Sequence, residues 1–194
     1  MSAAGPVTGL LLAAGAARRF GANKLLARLP DGQSVGLVAA ARLAAVVERL
    51  LVVVRGGDAV TAASFERAGY RVIEAADAAC GMAHSLASGV TASADAAAWM
   101  IALADMPCVA PATLGSLVER WRARDAIIVP TCNGRRGHPV IFPARYGAEL
   151  RALEGDQGAR PVLATHAQDV VLVETGDRGV LLDVDTPEDL AGLA

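Results

Sequence analysis

Apolar residues in this chain cluster in short unbroken runs, and between the runs they recur at helical spacing. The first run, 9–14, reads Gly-Leu-Leu-Leu-Ala-Ala. A run this short, apolar at every position, predicts a strand buried on both faces, as in a parallel sheet. Residues 50–54 form a second such run, stopped by Arg55-Gly56-Gly57, and 70–74, with Val72 and Ile73 between charged residues, reads as a third strand. Between the first two, 25–29 and Pro30-Asp31-Gly32 predict a short extended piece and a turn, and alanine-rich 35–47 a helix. Asp58 caps a helix that Gly69 ends. After a loop over 75–81 a helix opens at Gly81, and 97–103 is the next apolar strand. Leu114, Leu117, Val118 and Trp121 lie at helical spacing within 111–123, which places Trp121 in the core. Further strands are predicted over 126–130, 170–173 and 180–182, with a Gly-rich loop from Asn133 leading into Ile141-Phe142. Short helices are predicted over 148–153 and from Arg160. Thr186 and Pro187, followed by Glu188 and Asp189, start a last helix as N-cap and first-turn residues. Strand and helix alternating at this spacing predict an α/β fold with a mostly parallel sheet and right-handed crossovers. No repeat, low-complexity tract or linker interrupts the pattern, so 1–194 reads as one domain.

Composition narrows the classes of function. Apolar residues make up 54% of the chain, much of it alanine, which suits helices packed closely on a sheet. No apolar run is long enough to span a membrane. The N-terminal Met-Ser-Ala-Ala-Gly-Pro lacks the basic start of an export signal, so a cytoplasmic location is expected. The net charge of −2, with acids and bases mixed along the chain, argues against a broad nucleic-acid-binding face. Cys80, Cys108 and Cys132 are far apart and have no His or Cys at ligand spacing, so they read as reduced thiols and not as a zinc site.

The chemistry concentrates after the first strand. Ala13, Ala14, Gly15, Ala16 and Ala17 leave the backbone open to close approach, and free amides in such a turn make an anion-binding concavity. Arg18, Arg19 and Lys24 add positive charge beside it. It is not a Walker loop: five residues separate Gly15 from Gly21, and Lys24 follows Asn and precedes Leu. The Gly-x-Gly-x-x-Gly dinucleotide fingerprint does not occur there either. Asp105 follows the 97–103 strand, at the edge where open α/β sheets bind ligands. A carboxylate there is placed either to hold Mg²⁺ against phosphate oxygens or to cap the helix starting near Ala110. Arg135, Arg136 and His138 in a Gly-rich loop suggest a second anionic site, the alternative for His138 being a satisfied buried imidazole. His84 reads as an ordinary helix-surface histidine.

In register, Leu12, Ala13, Ala14, Gly15, Arg19, Phe20, Gly21 and Lys24 match Leu-Ala-Ala-Gly-x-Ser-x-Arg-Met/Phe-Gly-x-x-Lys. The segment therefore resembles the signature of nucleotidyltransferases with a Rossmann-like, three-layer α/β/α fold. Ala17 departs from the usual Ser, which removes one hydroxyl near the phosphates. Three further stretches are similar to segments of the molybdenum cofactor cytidylyltransferases, a family related to molybdopterin guanylyltransferase. They are Gly81-Met82-x-x-Ser85-Leu86-x-x-Gly89, Arg136-Gly137-His138-Pro139-Val140 and Gly155-Asp156-x-Gly158-Ala159-Arg160. Ala104-Asp105-Met106-Pro107 resembles that family's metal motif, and Asp185 before Thr-Pro-Glu-Asp resembles its second metal position, with Asp183 the fallback.

The resemblance implies transfer of CMP from CTP to the phosphate of a molybdopterin-type cofactor, with release of pyrophosphate. It implies Mg²⁺, with Mn²⁺ as the substitute, on Asp105 and Asp185. Leu12, Ala13, Ala14, Gly15, Arg19, Lys24, Gly81 and Ser85 are the implied nucleotide-binding residues. Arg19 and Lys24 are the implied catalytic cations, and Arg136, His138 and Arg160 the implied acceptor site. Asp156 either orients Arg160 or caps its helix. Within the family, Leu-Ala-Ala-Gly goes with cytosine and Leu-Ala-Gly-Gly with guanine, so Ala14 favours CTP. The alternatives are a molybdopterin guanylyltransferase, a cytidylyltransferase for a sugar or methylerythritol phosphate, and a non-catalytic protein that delivers nucleotide or cofactor to a molybdoenzyme.

Overall fold

The computed structural model describes residues 5–15, 20, 23–78 and 81–193. β1 (Val7–Ala13) is buried at all seven positions. Its side chains alternate: Leu11 and Ala13 enter one apolar core, Leu10 and Leu12 another. That is the two-residue period of a pleated strand covered on both faces. β2 (Arg49–Arg55) and β3 (Arg71–Ala75) extend the sheet to one side of β1, and β4 (Ala98–Leu103) pairs on the other, all parallel. β7 (Val140–Pro143) runs antiparallel to both β4 and β5 (Ile127–Cys132), and β6 (Arg135–Arg136) is antiparallel to β5. β8 (Val170–Glu174) is parallel to β5 and completes an eight-stranded, mostly parallel sheet.

Two helical layers cover it. α1 (Val35–Ala44), α2 (Ala59–Arg67) and α4 (Pro111–Arg124) bury Leu43, Phe65, Leu117 and Trp121 against one face. α3 (Met82–Thr91), α5 (Gly147–Arg151) and α6 (Arg160–Thr165) bury Leu86, Leu150 and Val162 against the other. This is the Rossmann-like α/β/α arrangement. α7 (Pro187–Ala191) closes the described chain. No helix among the described residues is long and apolar enough to cross a membrane.

The chain steps outward from β1 to β2 to β3, then returns to place β4 on the opposite side of β1. The carboxyl ends of β1 and β4 therefore face a topological switch point, the usual ligand crevice of open α/β sheets.

Three stretches differ from the sequence-based expectation. Residues 180–182 are not a strand; Arg178–Leu181 is a 3-10 turn. The Asp177 carboxylate accepts from the Gly179 amide at 2.8 Å and folds the chain back, while Val180 is fully buried. Its apolar character reflects burial outside a strand. Lys24–Leu26 is likewise a 3-10 turn and not extended, because the Asn23 side chain accepts from the Leu25 amide. The turn at 30–32 forms as expected, with the Gly32 amide donating to the Leu29 carbonyl at 2.8 Å. Part of the Gly-rich loop after Asn133 is ordered as β6.

Leu117 is fully buried between α4 and the sheet. Leu117→Ala is expected to lower the free energy of unfolding by about 2–5 kcal/mol through lost transfer and a residual cavity. Urea denaturation with an unchanged slope checks this.

Candidate active site

Lys24 is a buried lysine whose Nζ donates to Asp105 Oδ2 at 2.6 Å and to Asp185 Oδ1 at 2.7 Å. Each of the three is held by its own backbone context. Asn23, just before Lys24, donates to Thr61 Oγ1 at 2.6 Å and so ties the turn to the start of α2. The Ala104 amide donates to the Leu12 carbonyl, which fixes the end of β4 beside β1. The Asp105 carbonyl accepts from the Val184 amide at 2.9 Å, bringing the 183–185 segment alongside. Asp189 Oδ2 then accepts from the amides of Asp185 and Thr186 in the capping box of α7. The Thr186 hydroxyl and these two amides hold the Asp189 carboxyl below its ordinary range.

Burial alone would push the Lys24 ammonium down. Hydrogen bonds and attraction from Asp105 and Asp185 outweigh it, and the net shift is upward from 10.5. Lys24 is therefore a fixed positive charge. The other oxygen of Asp105, Oδ1, is buried and has no hydrogen-bond partner among the described residues. Asp105 does not cap α4: Asp177 does so, accepting from the Ala110 amide at 2.9 Å and the Thr113 hydroxyl at 2.8 Å.

Two converging carboxylates, one with an unsatisfied oxygen, fit Mg²⁺ or Mn²⁺, which takes one or two carboxylates and completes its shell with phosphate oxygens and water. Among the described residues no group of three or more His, Cys, Asp or Glu side chains forms a cage that would hold an ion without substrate.

A cavity of about 300 Å³ opens beside this cluster. Its wall contains Leu12, Ala13, Ala14, Gly15, Lys24 and Asp105, and from α3 Gly81 and Ser85. The structure thus brings together all the described residues singled out for nucleotide binding. Arg19, with Arg18, Ala17 and Gly21, lies outside the described residues.

Gly81 has φ +132°, and a Cβ there would lie 2.2 Å from the Gly155 carbonyl oxygen. Only glycine fits this contact. The Gly155 carbonyl also accepts from the Ala83 amide at 3.0 Å, so the segments at 81–89 and 155–160 form one seam. Met82 and Asp156 at this seam line both the first cavity and a second one of about 510 Å³. Asp156 does not cap α6, whose N-cap residue is Ala159.

Arg136, His138 and Arg160 meet in the wall of the second cavity. The two arginines are exposed. Gly137 backs onto the Val180 carbonyl, where a Cβ would lie 2.2 Å from the oxygen, and the His138 amide donates to that same oxygen at 2.9 Å. Burial pushes the His138 imidazole below 6.5, against the pull of the Asp105 charge. Its Nδ1 is buried with no hydrogen-bond partner among the described residues, while a backbone hydrogen bond with Ile101 acts on the ring. Asp183 is exposed and lies outside the Lys24 cluster.

Two features had no weight in the sequence reading. Arg55, at the end of β2, lines the first cavity. Ile101, Val129 and Phe142 give the second cavity an apolar wall. Arg55 carried a usable signal: it ends a strand adjacent to β1, on the ligand-binding edge of the sheet.

Residues 9–170 match the family described as MobA-like NTP transferase domain. The chain is 32% identical to the purine catabolism protein PucB of Bacillus subtilis, over 93% of this chain and 92% of that protein. It is 30% identical to nicotine blue oxidoreductase of Paenarthrobacter nicotinovorans, over 95% and 94%. A solved structure of Rv0371c from Mycobacterium tuberculosis, in complex with manganese, is 29% identical over 97% of each chain, with a TM-score of 0.75.

A buried imidazole with a lowered pKa binds fewer protons when folded than when unfolded. Its effect on stability vanishes above pH 6.5 and becomes a penalty as pH falls below that value. His138→Gln is expected to lose less melting temperature than the parent between about pH 7.5 and about pH 5.5. An equal loss in both proteins would refute the assignment.

Proposed function

The chain belongs to the MobA-like NTP transferase domain family and is a nucleotidyltransferase, and from that premise we propose that it moves CMP from CTP to the phosphate of a molybdopterin-type molybdenum cofactor. The observation that carries this reading is the convergence of Lys24, Asp105 and Asp185 beside the open backbone of residues 13–15.

In this reading the triphosphate lies over the loop that Gly15 opens and Lys24 closes, and Asp105 and Asp185 would hold Mg²⁺ or Mn²⁺. The ion, when bound, supplies Lewis-acid stabilisation of charge on phosphoryl oxygens. Lys24 neutralises charge on the departing pyrophosphate, and Arg19 has the same assignment by resemblance. Arg136 and Arg160 hold the acceptor phosphate, whose oxygen attacks the α-phosphorus as the bond to pyrophosphate breaks. His138, neutral near pH 7, positions the acceptor. No covalent bond to the protein is needed; the residues act by positioning and electrostatics.

Ala14 supports cytosine. The second cavity supports the acceptor, because its cations suit a phosphate and its apolar wall suits a flat heteroaromatic body. Manganese in the Rv0371c structure supports a divalent ion. A cytoplasmic location and a molybdoenzyme client belong to the same proposal. The name of nicotine blue oxidoreductase favours a second reading, an oxidoreductase acting through hydride transfer. That reading predicts consumption of a hydride donor with no need for a nucleoside triphosphate.

Pyrophosphate release with Mg²⁺, purified molybdopterin and either CTP or GTP is expected to be faster with CTP. Equal or reversed rates overturn the base assignment, and turnover of a sugar phosphate in preference to molybdopterin overturns the acceptor. Asp105→Asn is expected to slow release by about a hundred- to a thousandfold, on the scale of a lost oxyanion-hole donor, without loss of the fold. A full rate in this variant would rule out the metal role of Asp105.

A further inference from the structure

Arg55 is half-buried in the wall of the first cavity, and its Nη2 donates to the Ala14 carbonyl at 3.3 Å. A guanidinium carries five N–H donors, and among the described residues this is its one hydrogen bond, with no carboxylate paired to it. The acids nearest in sequence are engaged elsewhere: Asp58 caps α2, and Glu74 accepts from the Gly57 amide. Arg55 is thus a cation with spare donors at the edge of a ligand-sized space.

Its place in the sheet says which part of a ligand it meets. β2 and β4 flank β1 on opposite sides, so Arg55 and Asp105 bound the cavity from opposite ends. Strands lie about 4.8 Å apart, which separates these two ends by roughly 10 Å. A nucleotide whose phosphates lie at the Lys24–Asp105 end therefore sends its base toward Arg55, Gly81 and Ser85.

We infer that Arg55 determines base specificity, its guanidinium fork donating to the adjacent O2 and N3 acceptors of cytosine. The inference rests on the nucleotide reading above. Uracil replaces the N3 acceptor with an N–H donor, and the pairing edge of guanine presents N1–H and N2–H donors, so each would set donor against donor. The bond to the Ala14 carbonyl orients the fork.

The test is calorimetric binding of CTP, UTP and GTP, with Mg²⁺, to the full-length protein and to Arg55→Gln and Arg55→Lys. The parent is expected to prefer CTP. Arg55→Gln is expected to weaken CTP by about tenfold to a hundredfold, the range for a lost bidentate base contact, and to leave UTP and GTP nearly unchanged. Arg55→Lys keeps the charge but not the fork, so it loses the preference as well. Melting temperatures confirm folding, and if the Gln variant is unstable the Lys variant decides. Equal weakening of all three nucleotides would assign Arg55 to phosphate or structure and overturn the inference. Variants that keep the CTP preference would overturn it while leaving the cytidylyl reading standing. A parent that prefers GTP would remove both.

Discussion

A single ammonium between two carboxylates holds the candidate site together. Lys24 is 81 residues from Asp105 and 161 from Asp185, yet its Nζ reaches both within hydrogen-bond distance. In a part-buried setting the two carboxylates would repel strongly without it, and it would tend to neutrality without them. Each supplies what the others' burial demands, and the upward shift of the Lys24 pKa is the sign that attraction prevails. Lys24 is one cation set between two carboxylates. An anionic triphosphate drawn to it needs additional positive charge, which is the physical case for a divalent ion at the unsatisfied Asp105 oxygen.

The scaffold makes this constellation rigid before any ligand arrives. Lys24 is tied to α2 through Asn23 and Thr61, Asp105 to β1 through the Ala104 amide, and Asp185 to the capping box through Asp189. Groups fixed by separate backbone contacts need little reorganisation as charge develops, and that is where an electrostatic catalyst has its advantage. The seam between Gly81 and Gly155 serves a second purpose. With no side chain between them, the two cavities adjoin at Met82 and Asp156, as the proposed transfer between two bound substrates requires.

Much of this was legible in the sequence, for reasons that differ by element. Runs such as 9–14 and 50–54 announce themselves because a strand covered on both faces must be apolar throughout. Asp105 was legible because a lone carboxylate directly follows such a strand. The turn at Arg178–Leu181 was not, because Val180 is buried outside any strand, and burial alone leaves the same trace as a strand. Asp177 was hidden for another reason: its partners at Ala110 and Thr113 are 67 and 64 residues away, and capping at that distance has no local pattern. Arg55 read as a strand terminator beside two glycines, and only the sheet order shows that it faces the cavity.

The second cavity shows how a polar rim and an apolar wall divide the work of recognition. Arg136 and Arg160 are exposed, and each alone would attract a small anion weakly through water. A ligand with a flat apolar body changes that balance. Seated in the cavity it would displace water from the rim, and the same two charges would act through a lower effective dielectric on a phosphate it carries. Burial lowers the His138 pKa, so the imidazole adds less positive charge to the rim than a free histidine would. In the proposed function such a site would suit an amphipathic phosphate ester, with affinity from its apolar body and orientation from the arginines.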